Sequence, residues 1–380
     1  MWKIPLFDLD YSDAEKNAVI EVLDSKWLSS GVKTKEFEEC FSNYLGRNVY
    51  STALSSATAS LHIALLIAGI REEDEVIISG LTFVADANVV RMCNATPIFC
   101  DVNSLEDWNP SVEDIKFKVT KKTKAVIVVH FAGYPIEDIE ELARFCKENN
   151  IVLIEDVAHA VGASYNEKKC GTFGDMACFS FFSNKNLSTG EGGMFVTKNI
   201  EFDRQAKFLR SHGMTSMTID RHEGRTISYD VIQPGLNYRI DEIRCALGLV
   251  QLSKLDSNNQ KRKELVEYYI NEIQILLKEL IVPFVNISDK THSSYHIFPI
   301  LLPEDLDRVV VMNALKEKGI QSSIHYPSFK DFSYYEKYCT YELKSADEIS
   351  KRVLTLPLYP EMTTDMVDMV LSSLKEAINE

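Results

Sequence analysis

Four short stretches of this chain hold residue types that can do chemistry. Lys185 lies in 180–193 (SFFSNKNLSTGEGG), directly after an apolar strand-like run and among small and polar residues. Lysine forms Schiff bases with carbonyl compounds, because desolvation lowers its pKa enough to expose the neutral amine. An exposed surface lysine is the bland alternative. Gly190, Gly192 and Gly193 beside it suggest close backbone approach to something bulky. Asp156 closes the apolar run IVLIED, and a carboxylate at the end of a buried strand is costly unless paired. It reads equally as a helix cap or structural ion pair, or as a carboxylate that keeps a pyridine nitrogen protonated and the ring an electron sink. In 55–60 (SSATAS) small hydroxyl residues stand at a helix start, where open amides and the helix dipole favour a phosphate. A simple N-cap by Ser56 or Thr58 is the plainer reading. Phe83 follows another strand and would serve either as core or as the cover of an aromatic ring. In chain order these make a phosphate cradle, a ring cover, a pyridinium partner and a Schiff-base lysine.

Such groups need a scaffold that brings strand ends together. Apolar runs rich in Val, Ile and Phe at 48–55, 74–79, 96–102, 125–131, 151–157, 176–182 and 193–197 alternate with helical patterns such as 58–69 and 137–148. This alternation predicts an α/β fold with a mostly parallel, seven-stranded sheet flanked by helices. Ligands of such sheets bind at the carboxyl ends of the strands. A long helical pattern spans 240–275, and its polar stretch at Asp256–Gln260 suggests a break and a domain boundary. The expected division is a large domain, 1–255, and a smaller C-terminal α/β domain, 256–380, with a strand at 295–301, a helix at 304–318 and a loop at 325–329.

Composition narrows the function. The 380 residues carry a net charge of −15, which repels phosphate backbones and argues against nucleic acid as a partner. Eight cysteines are scattered without a CxxC pair, so neither a zinc site nor a thioredoxin-like motif is signalled. No apolar stretch reads as a signal peptide or membrane span, and a cytoplasmic protein is expected.

The chain resembles the DegT family of nucleotide-sugar aminotransferases, pyridoxal phosphate (PLP) enzymes of fold type I. The likeness rests on 27–31 (WLSSG), 36–39 (EFEE), 82–84 (TFV), 155–160 (EDVAHA), 180–193, 235–239 (GLNYR) and 356–360 (LPLYP). It implies that Lys185 is the cofactor-linked lysine, Asp156 the carboxylate at the pyridine nitrogen and Phe83 the ring cover. Thr58 and Ser180 match phosphate-holding positions. His159 falls near the cofactor's phenolic oxygen. Asn237 matches a residue that reaches the phosphate in a neighbouring subunit, implying a homodimer with shared active sites. Ala57 stands at a phosphate-turn position where the family commonly has glycine, and Phe182 where C4-acting members often have histidine. Trp27, His325 and Tyr326 resemble substrate-lining positions, His325 serving equally as a structural histidine.

The resemblance implies ping-pong transfer of an amino group, L-glutamate being the expected donor and a nucleotide-linked keto sugar the acceptor. TGEGG and NYR favour amination at C4 of a 4-keto-6-deoxyhexose, for polysaccharide or O-antigen synthesis. The alternatives are a C3-acting or aminocyclitol aminotransferase and a regulatory protein that keeps the fold without catalysis. A dehydratase of the same fold would carry histidine in place of Lys185.

Overall fold

The computed structural model describes residues 2–215 and 228–379. Helices α1 (Asp13–Ser25) and α2 (Val32–Leu45) precede β1 (Tyr50–Leu54). Helix and strand then alternate through α3 (Ala57–Ile67), β2 (Glu75–Ser79), α4 (Ala85–Met92), β3 (Thr96–Cys100), α5 (Val112–Lys118), β4 (Thr123–Val129), α6 (Ile139–Glu148) and β5 (Val152–Asp156). A small hairpin, β6 (Ser164–Tyr165) and β7 (Lys168–Lys169), leads to β8 (Met176–Ser180), β9 (Gly193–Thr197) and α7 (Ile200–Leu209).

Seven of these strands form one sheet in the order β1-β9-β8-β5-β4-β2-β3. From β8 to β3 neighbouring strands are parallel, and β9 alone runs against both of its neighbours. Helices cover the sheet, which is why strands such as β8 (MACFS) are buried throughout and lack polar alternation. Parallel pairing also aligns the carboxyl ends. Asp156 ends β5 and Ser180 ends β8, while the turns after β1 and β2 carry Ser56–Thr58 and Thr82–Phe83.

One residue in the middle of this sheet is neither apolar nor exposed. Glu155 of β5 is fully buried, and its carboxylate accepts the amides of Gly171, Phe173 and Gly174 at 2.7–2.8 Å. His130 Nε2 lies 3.0 Å from it, and His130 Nδ1 takes the Ile136 amide, which puts the ring proton on the Glu155 side. Burial pushes the Glu155 pKa up, but His130 and these amides hold it below the usual range. The loop after β7 is thereby pinned beside the end of β5.

Helix α8 (Glu242–Leu276) is continuous for 35 residues. The expected break at Asp256–Gln260 is absent, and the reason is hydrogen bonding. Asn258 and Asn259 are buried, Asn259 donates to the Val161 carbonyl at 3.1 Å, and Asp256 accepts the Tyr44 hydroxyl at 2.6 Å. Asp256 and Asn259 thus bond across to the sheet domain from an intact helix.

Beyond α8 follow β10 (Thr291–His292), β11 (Phe298–Leu301), α9 (Arg308–Glu317), α10 (Lys344–Arg352), β12 (Val353–Leu356) and α11 (Thr364–Asn379). β11 pairs antiparallel with β12. Leu265, Tyr269, Phe298, Leu315 and Val367 share a second core with Ile4 from the amino terminus, whereas Leu255 packs with Phe41 and Phe179 of the first unit. We propose that the chain divides near Leu255 along this uninterrupted helix, with Phe329, Leu343 and Ile349 of the later segment packing back onto the sheet core. Among the described residues no helix is long and apolar enough to cross a membrane.

Glu155→Gln turns an amide towards three backbone donors. It is expected to cost about 2–4 kcal/mol, read as a lower urea midpoint; an unchanged midpoint would show that the loop is held by other contacts.

Candidate active site

The carboxyl ends of β1, β2, β5 and β8 surround a cavity of about 320 Å³, the size of a small-ligand site. At one side α3 begins. Ser56 caps it, its Oγ accepting the Ala59 amide at 3.1 Å, and Ala57 and Thr58 line the cavity. First-turn amides have no partner within their own helix, and the dipole there favours an anion. Gly193 of β9 backs this turn: a Cβ on it would lie 2.3 Å from the Ser56 carbonyl carbon and 2.5 Å from the Ala57 nitrogen. Any other residue would push the turn away. Ser180, buried at the end of β8, completes this side.

Asp156 forms the far wall, with a second carboxyl group buried behind it. Asp156 is only 5% exposed, and its Oδ1 accepts the Ala158 amide at 2.8 Å. Burial raises its pKa, while the Ala158 amide and the charge of Lys185 oppose the rise. Asp86, in the first turn of α4, is buried next to it and accepts the Thr82 hydroxyl at 2.6 Å. Burial first, and the Asp156 charge second, push Asp86 well above the usual carboxylate range. Two adjacent buried carboxyls ionise together only at high cost, and Asp86 is the one pushed further above the usual range, which favours charge on Asp156.

Between these walls stands Lys185. Burial lowers its pKa to about 8, against the opposing pull of Asp156. Its Nζ lies 3.3 Å from Nε2 of His296. His159 is buried beside them and held well below the ordinary imidazole range by burial and then by Lys185. Its Nδ1 accepts the Ala132 amide at 3.3 Å, so the ring proton sits on Nε2, 2.8 Å from the Tyr326 hydroxyl. Tyr326 therefore accepts from His159 and turns its own O–H to the cavity. The Phe83 ring, 54% exposed at the mouth, lies 5.8 Å from the Tyr326 ring.

The structure brings together Ala57, Thr58, Phe83, Asp156, His159, Ser180, Lys185, His325 and Tyr326, all of which line this cavity. Trp27 and Asn237 lie outside it, and Asn237 is exposed. His325 combines both of its expected characters: it faces the cavity, and its Nδ1 bonds the Thr355 hydroxyl at 2.9 Å. Burial and Lys185 push its pKa down to about 3. Two residues of the site are not evident from the sequence patterns. Asp86 reads there as an ordinary acid of a first helical turn. His296 left a faint signal, a polar residue within the apolar run YHIFPIL.

A half-buried lysine of lowered pKa, a buried carboxyl group in the wall, open helix amides and an aromatic at the mouth together fit an aldehyde-bearing phosphorylated pyridine. The model of the DegT/DnrJ/EryC1/StrS aminotransferase family matches residues 10–375. The chain is 35% identical over 384 residues to the uncharacterized protein MJ1066 of Methanocaldococcus jannaschii, covering 99% of this chain and 98% of that protein. Its fold is similar to that of PseC of Helicobacter pylori, an aminotransferase involved in the biosynthesis of pseudoaminic acid. The TM-score is 0.89 at 29% identity, over 100% of this chain and 99% of that one. Spr1654 of Streptococcus pneumoniae, assigned as a sugar aminotransferase and solved in its pyridoxamine phosphate form, gives a TM-score of 0.89 at 27% identity, over 100% and 99% of the two chains.

If Lys185 is the reacting amine, capture of added PLP by cofactor-free protein should follow its deprotonation. The rate should climb about tenfold per pH unit and level off above a midpoint near pH 8, followed as the appearance of the yellow absorption band. A midpoint near the ordinary 10.5 would mean that Lys185 is not desolvated.

Proposed function

The chain belongs to the DegT/DnrJ/EryC1/StrS aminotransferase family, and from that premise we propose that it aminates C4 of a nucleotide-linked 4-keto-6-deoxyhexose with L-glutamate as donor. Membership makes it a PLP-dependent sugar aminotransferase of that family's fold. The donor, the sugar and the carbon are our reading. The observation that carries it is that Lys185, its pKa lowered by its surroundings, lines one cavity with the buried carboxyl of Asp156.

When bound, the pyridine ring of PLP supplies an electron sink for charge developing at the substrate carbon. The protein's own residues do the rest. The start of α3, with Ala57, Thr58 and Ser180, would bind the phosphate. Asp156 would hold a proton on the ring nitrogen, and protonated Asp86 keeps the negative charge on Asp156. Phe83 would cover the ring, while the His159–Tyr326 pair offers a single hydroxyl donor to the cofactor or the sugar. Lys185, once displaced by the donor's amine, is the base placed to take and return the proton at the substrate carbon. Its lowered pKa leaves a useful neutral fraction near pH 7.

The preference for C4 is supported by TGEGG after Lys185 and by the NYR run at 237–239. Phe182, 44% exposed at the cavity, offers with Phe83 apolar faces that suit the C–H side of a sugar ring. We further propose a homodimer in which Asn237 reaches the partner's cofactor. The exposed apolar residues Tyr229, Val231 and Ile232 lie close to it in sequence, each 53–54% accessible, and suit a covered face.

Lys185→Ala should remove transamination and the absorption band while the circular dichroism stays native; substantial turnover would reject the lysine assignment. Asp156→Ala should lower kcat at least a hundredfold, since a neutral pyridine is a poorer sink, and near-normal turnover would reject the pyridinium role. Asn237→Ala should weaken PLP retention, and unchanged affinity in a confirmed dimer would reject the cross-subunit contact. A panel of 4-keto and 3-keto nucleotide sugars tests the carbon: product from the 3-keto compounds alone would overturn C4.

A further inference from the structure

His296 is held in one orientation and one protonation state by a chain of hydrogen bonds that starts far from the cavity. Asn259, on α8, donates through Nδ2 to the Val161 carbonyl at 3.1 Å. Its Oδ1 therefore faces Asn186, whose Nδ2 donates to it at 2.7 Å and also to the Ser294 carbonyl at 2.7 Å. A backbone carbonyl only accepts, so the Asn186 amide cannot be turned over without losing that bond. Its Oδ1 is left as an acceptor, 2.9 Å from Nδ1 of His296. That nitrogen must carry the ring proton, and Nε2, 3.3 Å from Lys185 Nζ, is a bare lone pair.

The imidazole backbone is fixed as well. The His296 amide donates to the Ala132 carbonyl at 2.9 Å and its carbonyl accepts from Arg262. Around the ring stand Lys185, His159, Arg262 and His325, each of which, like burial, disfavours a charge on it. The ring is thus a permanent neutral acceptor and not a proton relay.

We propose that His296 is a positioning residue for Lys185: whenever the lysine is an amine not bonded to the cofactor, an N–H of Nζ docks on Nε2 of His296, and the nitrogen lone pair is left directed at the cavity. Chain rotation about the four-carbon lysine stem is thereby restricted at the moment when the amine must react or take a proton. The docking is set by Asn186, the residue that follows Lys185, so the same turn supplies the amine and the group that fixes its acceptor. The inference rests on Lys185 being the cofactor lysine.

Two measurements on cofactor-free protein test it. The first is the imidazole nitrogen-15 spectrum of histidine-labelled wild type, assigned by comparison with His296→Gln. The expected spectrum has the His296 proton on Nδ1 throughout pH 6–9; a proton on Nε2, or titration in that range, would overturn the proposal. The second is the rate of PLP capture against pH. In His296→Phe the plateau rate should fall about tenfold, the worth of one well-placed hydrogen bond. The midpoint should move to lower pH, because the ammonium form loses an acceptor. His296→Gln, whose amide oxygen reaches the Nε2 position, should recover most of both. Equal plateau and midpoint in wild type and the folded Phe variant would overturn the positioning role. Absence of a band in wild type itself would instead overturn the assignment of Lys185.

Discussion

An ammonium group partly withdrawn from water is destabilised, and most of this candidate site follows from keeping Lys185 in that condition. Burial drives its pKa down, and the opposing influence is the single ionised carboxylate of Asp156. Neither group would be tolerable alone. Asp156 keeps its charge because Asp86 takes the proton that the two carboxyls would otherwise share, and because the Ala158 amide and Lys185 stabilise the anion. The neighbouring histidines stay neutral for the same reason. With one cation already present, a second in the same dry space is disfavoured, and His159, His296 and His325 all lie below their ordinary range.

This concentration of polar groups is possible because the fold surrounds it with fixed hydrogen bonds. Parallel strands aim their carboxyl ends at one place, and their side chains there are buried without being apolar. Glu155 fastens the loop after β7 to β5 directly beside Asp156. Helix α8 does similar work from the other side. Its first half packs on the sheet domain, its second half enters the second core, and between them Asn259 and Arg262 reach into the site's supporting bonds. Burial pushes even the Arg262 pKa down, to about 10, and its guanidinium is held by the carbonyls of Leu358 and His296. The later segment is therefore joined to Lys185 through the His296 side chain, whose own main-chain carbonyl Arg262 holds.

Much of this architecture was legible in the order of residues. Continuous apolar strands alternating with helices specify a covered parallel sheet, and that sheet specifies where a ligand binds. Residues whose chemistry depends on a nearby backbone feature were equally plain: Ser56–Thr58 at a helix start, Asp156 at a strand end, Lys185 in a glycine-bounded turn. Each is a local pattern, and local patterns survive in sequence.

What escaped is what depends on residues distant in the chain. The polar stretch at Asp256–Gln260 looked like a helix break, because polarity along one strand of sequence does not reveal a buried hydrogen-bond partner some hundred residues away. Asp86 became part of the site only when α4 was laid against the end of β5, and its retained proton is a property of the pair. His296 acquired its tautomer from Asn186, Asn259 and a backbone carbonyl, which the fold alone assembles. The sequence by itself determined the sheet and marked Lys185, Asp156 and the start of α3 as candidates at its carboxyl edge, since periodicity and residue chemistry are local. The protonation states and the bonds that aim that lysine were decided by tertiary structure, because desolvation and charge coupling exist only between groups that folding brings together.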